Sequence, residues 1–368
     1  MAETFVCAGC GATLTAPLSR VALPVHARQR CGHELLPVLM EQGTYAVDPE
    51  PSGPPWKPWA AVGAEEAAAR GVYAPVPALS YGAAGAVAVA PGDTRGTALI
   101  PERCDGPCFG TDGRDGPNLA CEECGRAVAT RIDDCGHWQV VWLDPRAVCR
   151  LPATDPAERT GERAGGRTGE RAEEWTGERP GTPPVDPSGH WSLAWTAGAG
   201  AALAHLLAAS EGAPVAVPGG LLGNVLGRAL DVLLPPGPPG ARAALAGPGL
   251  PDPTPAPGIV LVPVHPRTGR TWRPPGGTAV PVPLPDDMWT HLAFHNDRLF
   301  VPATGGLPRD VQRDDPLPPH PQGPFQPDPD VFLHTLARLP AVRLPWLREI
   351  YDRVRERPYS VLQERSGR

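Results

Sequence analysis

Nine cysteines and ten histidines carry most of the chemistry open to this chain of 368 residues, and many of them are grouped. Cys7-Ala-Gly-Cys10-Gly11 and Cys121-Glu-Glu-Cys124-Gly125 each hold two thiols separated by two residues, with a glycine directly after. That spacing makes a tight turn with both sulfurs on one side, which is half of a tetrahedral zinc site. A looser pair, Cys104-Asp-Gly-Pro-Cys108, lies twelve residues before Cys121. Two triplets, Cys31-Gly32-His33 and Cys135-Gly136-His137, follow the two tight knuckles, and His26 precedes the first triplet. Cys149 has no partner nearby and reads as a packed free thiol.

Proximity along the chain suggests how these ligands divide. Cys104, Cys108, Cys121 and Cys124 would close one site, and Cys7 and Cys10 would take two more ligands from His26, Cys31 and His33. The first set expected is Cys7, Cys10, Cys31 and His33, with His26 as the substitute for Cys31 or His33. A competing second set is Cys121, Cys124, Cys135 and His137. The stretch from Cys104 to Cys124 resembles the zinc ribbon of small four-cysteine modules, although three residues, not two, follow Cys104. The resemblance implies a closed, structural ion. Two zinc ions are therefore expected.

The elements that must position these ligands show a degenerate repeat. Knuckle, strand, Cys-Gly-His and strand run through residues 7–47 and again through 121–143. Alternating apolar residues predict strands at 21–25, 35–39, 44–47, 127–130 and 139–143, and a strand pair at 85–89 and 97–100. Residues 52–59 hold Trp56 and Trp59 among prolines and predict an extended segment. A short helix is expected at 64–70, ended by Gly71.

Thr-Gly-Glu-Arg recurs at 160–163, 168–171 and 176–179, with Trp175 nearly alone as an apolar residue. Such a stretch cannot bury enough surface to offset its ordering entropy, and residues 151–187 read as a disordered linker. Beyond it, helices are expected at 195–211, 220–234 and 345–357, and strands at 259–264 and 298–302. The fold class expected is α+β in two domains. Residues 1–150 form a mostly β, zinc-stabilised domain, and residues 188–368 a small α+β domain with Pro-rich loops.

Composition narrows the classes of function. With 51 Pro, 43 Gly and only 6% aromatic residues, small cores and long irregular connections are expected. Lys57 is the only lysine among 33 basic residues, a usage that codon bias in a high-GC bacterial genome produces, so arginine is weak support for phosphate binding. Residues 1–150 hold 12 basic and 17 acidic residues, a net charge of −5, which argues against nucleic acid as a partner. The start, Met1 to Cys7, has no basic and apolar leader pattern, so the expected location is the cytoplasm, where clustered cysteines serve as metal ligands. Residues 192–209 are uncharged but rich in Ala and Gly, and read as a buried helix and not a membrane span.

The sequence lacks a Gly-x-Ser-x-Gly elbow, a phosphate loop and a dinucleotide fingerprint. The reading that follows is a cytoplasmic zinc-binding protein that acts as an interaction or structural module, with a protein as its partner. One alternative is an enzyme whose site is assembled in the C-terminal half from His265, His291, His295 and Asp297, although His291-Leu-Ala-Phe-His295 lacks the general-base glutamate of helical zinc proteases. Another is a thiol redox sensor using Cys149 or Cys135, which requires exposure and a lowered pKa.

Overall fold

The computed structural model describes residues 2–106, 108–153, 182–274, 277–295, 321 and 323–358. It is a mixed α and β chain with several sheets and, among the described residues, seven α-helices. The chain divides into two units. The first takes in the described residues of Met1–Gly63, Val76–Trp175 and Pro266–Gly269, and the second those of Ala64–Pro75, Thr176–His265 and Arg270–Arg368. The Thr-Gly-Glu-Arg repeat and the strand expected at 298–302 lie outside the described residues. On the near side of that repeat the chain is already in strand up to Pro152. On the far side Thr182 accepts a hydrogen bond from Trp195 Nε1 at 2.8 Å.

In the first unit β1 (Glu3–Cys7) pairs antiparallel with β11 (Val148–Pro152), so that Cys7 lies opposite Val148. A seven-stranded sheet combines β2 (Ser19–Arg20), β3 (Thr44–Val47), β6 (Val87–Val89), β7 (Thr97–Leu99), β8 (Leu119–Cys121), β9 (Ala127–Ile132) and β10 (Val140–Leu143). Its order is β2-β3-β6-β10-β9-β8-β7. Only β2 and β3 run parallel within it. The strand pair expected at 85–89 and 97–100 is not a pair: β6 lies between β3 and β10, and β7 joins β8 at the edge. The Pro-rich segment is partly extended, as β4 (Trp56–Pro58) paired with β5 (Ala78–Ser80), and then turns into the one-turn α1 (Trp59–Val62).

One face of the large sheet buries Phe5, Leu14, Leu18, Tyr45, Val89, Leu119, Val128 and Leu143, and Cys7 and Cys121 belong to the same core. A metal site built on those thiols is therefore rooted in the hydrophobic layer. Tyr45 closes this layer from within, its ring edge-on to Phe5 with centroids 5.1 Å apart and its hydroxyl donating to Glu3 Oε2.

The second unit opens with α2 (Ala64–Ala69), whose end at Gly71 has φ +78°, the left-handed geometry that glycine adopts without strain. Its main sheet is wholly parallel, in the order β12 (Val215–Ala216), β13 (Ala241–Leu245), β14 (Ile259–Val264) and β15 (Val280–Pro285). The sequence predicted α+β here, and a parallel sheet with flanking helices is the α/β arrangement. The helix expected at 220–234 is a π-helical turn over Gly223–Gly227 followed by α4 (Arg228–Leu233). Glycines at 223 and 227 weaken the α ladder where it changes hydrogen-bond spacing.

At the centre of this unit α3 (Leu193–Ser210) buries Trp195, Leu203, Leu206 and Leu207 completely. By length and composition it could cross a membrane, with a mean hydropathy of 1.3, yet 67% of it is buried in the fold. A helix apolar on all sides is what a core position requires. It packs on α6 (Pro329–Ala337), α5 (Asp286–Phe294) lies beyond β15, and α7 (Pro345–Glu356) buries the stripe Leu347, Ile350, Tyr351 and Val354.

Candidate metal centres

The two tight knuckles form one site together. Cys7, Cys10, Cys121 and Cys124 place all four sulfurs within 4.8 Å of one another. The Cys7–Cys124 and Cys10–Cys121 sulfur pairs are each 3.6 Å apart. With Zn–S bonds of about 2.3 Å, a tetrahedral ion sets its sulfurs ~3.8 Å apart, so the group fits zinc with only small adjustment.

The local reason is the same in both halves. In each knuckle the first cysteine donates its N–H five residues on, Cys7 to Ala12 O and Cys121 to Arg126 O, both at 2.8 Å. Each following glycine closes the turn by donating back to that cysteine's carbonyl, Gly11 to Cys7 and Gly125 to Cys121, again at 2.8 Å. Both glycines have positive φ, +77° and +72°, where a side chain would add strain. Each knuckle is also tied to a neighbouring segment through its second residue: Ala8 N donates to Ala147 O, and Glu122 N to Gly96 O. Cys7 and Cys121 are buried and Cys10 and Cys124 exposed, so the site has a core side and a solvent side.

Electrostatics favour a cation here. Burial acts to raise the Cys7 pKa, but hydrogen bonds from the Gly9 and Cys10 backbone and from the Cys124 thiol outweigh it and leave it lowered to about 7. At Cys10 the Ala12 backbone hydrogen bond acts to lower the pKa, but local desolvation and hydrogen bonds with the surrounding thiols overcome it and push it up to about 12. The first thiolate forms readily and then opposes the next. A divalent ion removes that opposition and deprotonates the set.

A second group joins His33, Cys108 and Cys135, whose ligand atoms also lie within 4.8 Å of one another. Among the described residues these are the two groups of His, Cys, Asp and Glu close enough to hold a metal. The structure thus divides the ligands differently from their order in the sequence. Cys7 and Cys10 meet Cys121 and Cys124, not Cys31 and His33. Cys104 and Cys108 do not join Cys121 and Cys124 in a ribbon. Cys31, Cys104, His26 and His137 belong to neither group. The Cys104 thiol donates to Ile100 O at 3.4 Å, the His26 ring stacks on Trp138 with centroids 4.3 Å apart, and His137 Nδ1 donates to Cys135 O at 2.9 Å.

Cys135, absent from the favoured sets, was findable through the repeat. The Cys-Gly-His turns at 31–33 and 135–137 face each other just as the knuckles do. A repeat whose like parts meet brings Cys7 and Cys10 to Cys121 and Cys124 and His33 to Cys135, pairings that spacing within one half cannot show, whereas Cys108 comes from outside the repeat.

Among the described residues, none of the C-terminal candidates belongs to either group. His291 is buried on α5, its ring 5.5 Å from those of Trp195 and His295, and Asp297 lies outside the described residues. Cys149 is exposed on β11, not packed. Cys135 has its thiol pushed up to about 11, first by its hydrogen bond with the Cys108 thiol, the opposite direction from a redox-reactive cysteine.

Compared with protein-family models, with curated proteins and with solved structures, the chain matches none of them.

Proposed function

We propose that this chain is a zinc-binding protein whose four-cysteine ion is structural and whose role is interaction with a protein partner. The observation that carries the reading is the ligand set itself. Four cysteines fill the tetrahedron, so no position is left on that ion for a substrate. The ion joins β1 to the β8–β9 turn across more than a hundred residues and shares its core with Phe5 and Leu119. Its binding free energy then contributes directly to folding. The acidic balance of residues 1–150 disfavours nucleic acid.

The test is hydrogen exchange on the full chain before and after zinc removal under reducing conditions. Protection of β1, β8, β9 and β11 is expected to collapse without zinc and return on adding it, while α3 and β14 keep theirs. Equal protection of β1 and β8 with and without zinc would reject the structural role.

A further inference from the structure

Three loops converge on the second group, two of them joined backbone to backbone and the third through a buried carboxylate. Gly136 N donates to Glu34 O at 2.7 Å, and Cys31 N donates to Gly136 O at 3.3 Å. A Cβ on Gly136 would lie 2.3 Å from Gly32 O, so the two Cys-Gly-His turns meet at a distance only glycine allows. The third loop is tied in by Asp134, whose Oδ1 accepts the N–H of Cys135 at 2.7 Å and of Phe109 at 3.2 Å. Asp134 is buried at 5% exposure, and its Oδ2 has no hydrogen-bond partner. His33 Nδ1 and Cys135 Sγ come to 3.5 Å, with Cys108 completing the triangle.

We infer that His33, Cys108 and Cys135 bind a second zinc ion as a three-ligand site, with an external oxygen or nitrogen donor as its fourth ligand. Zinc sites closed by four protein ligands are structural, whereas those with three keep a position for water or substrate. The contrast with the knuckle site is one of charge and access. Two thiolates and a neutral imidazole leave a zinc ion with no net charge, so a small anion is not repelled, whereas four thiolates leave it doubly negative. His33 and Cys108 are exposed, and Phe109, next to Cys108 in the chain, and Leu35, two residues after His33, are among the most exposed large apolar residues. The remaining thiol of the Cys104 loop is engaged with Ile100 O. The choice of zinc rests on the reading of the knuckle site, and the position open to an outside ligand goes beyond it.

The experiment uses full-length protein loaded with cobalt and the variants Cys135→Ser, Cys31→Ser and Cys104→Ser, with azide as the probe. Wild type should take up about two equivalents and Cys135→Ser about one, as two separate tetrahedral sites require. Azide should shift the visible bands of wild type saturably and leave those of Cys135→Ser unchanged. Cys31→Ser and Cys104→Ser should keep both equivalents and the azide response. Loss of the second equivalent in either variant, or bands in wild type that azide leaves unmoved, would mean a closed four-ligand site and overturn the inference. Two equivalents retained in Cys135→Ser would overturn the ligand set. Failure of the knuckle reading would show separately, as no cobalt bound in Cys135→Ser.

Discussion

His205 illustrates how much a single side chain on the core helix can impose on the unit around it. Burial lowers its pKa from the ordinary 6.5 to about 4, so the folded chain holds it neutral at a pH where the unfolded chain protonates it. The sign follows from proton uptake: the unfolded state binds the proton first as pH falls. Stability from this group is fully present above about pH 7 and is lost as pH falls from about 6.5 to about 4, an effect of up to ~3 kcal/mol. Urea unfolding of the second unit between pH 7 and 4 should show that loss, and His205→Gln should flatten it. A wild-type profile no steeper than the variant's would refute the assignment. At this scale the sequence was most legible for residue type and least for partnership. CxxC spacing marks Cys7, Cys10, Cys121 and Cys124 as candidate ligands but cannot say which knuckle meets which, since that depends on β1 and β8 sharing one core.

Elements were legible where periodicity and burial agree. The strands at 44–47 and 259–264 and the α7 stripe follow the apolar pattern of the sequence. β15 was missed because Val280-Pro-Val-Pro-Leu-Pro285 reads as a chain without strand donors. It survives as a strand because it sits at the edge of the parallel sheet, paired only with β14, where alternate N–H groups face away from the ladder. The α3–α6 contact was equally hidden, because it depends on the absence of a side chain. A Cβ at Gly200 would come 2.5 Å from Asp328 O. Asp328 is also the N-cap of α6, accepting from Val331 N at 2.8 Å, and its own N–H donates to Thr196 O. Gly200→Val should therefore lower stability by about 2 kcal/mol or more, since the obstructing atom is backbone and cannot swing aside. Thermal unfolding checks this, and a variant within about 0.5 kcal/mol of wild type would show that the helices separate at little cost.

Over the whole molecule, apolar periodicity pointed to a mostly β first part and a second part with helices. It could not show that 64–75 belong with the second unit or 266–269 with the first. Those exchanges go with contacts between distant segments, such as the hydrogen bonds from Tyr73 N to Ala337 O, from Tyr351 Oη to Pro75 O and from Ala22 N to Pro266 O, which leave no periodic trace. The central claim is likewise one of long range: two knuckles more than a hundred residues apart share one ion. It is tested most directly by the zinc content of Cys10→Ser, Cys124→Ser and the double variant, all at solvent-facing ligands. If the knuckles share an ion, each single variant lacks about one of two equivalents and the double variant lacks no more. A double variant that loses about two equivalents where each single loses about one would place the knuckles in separate sites and contradict the account.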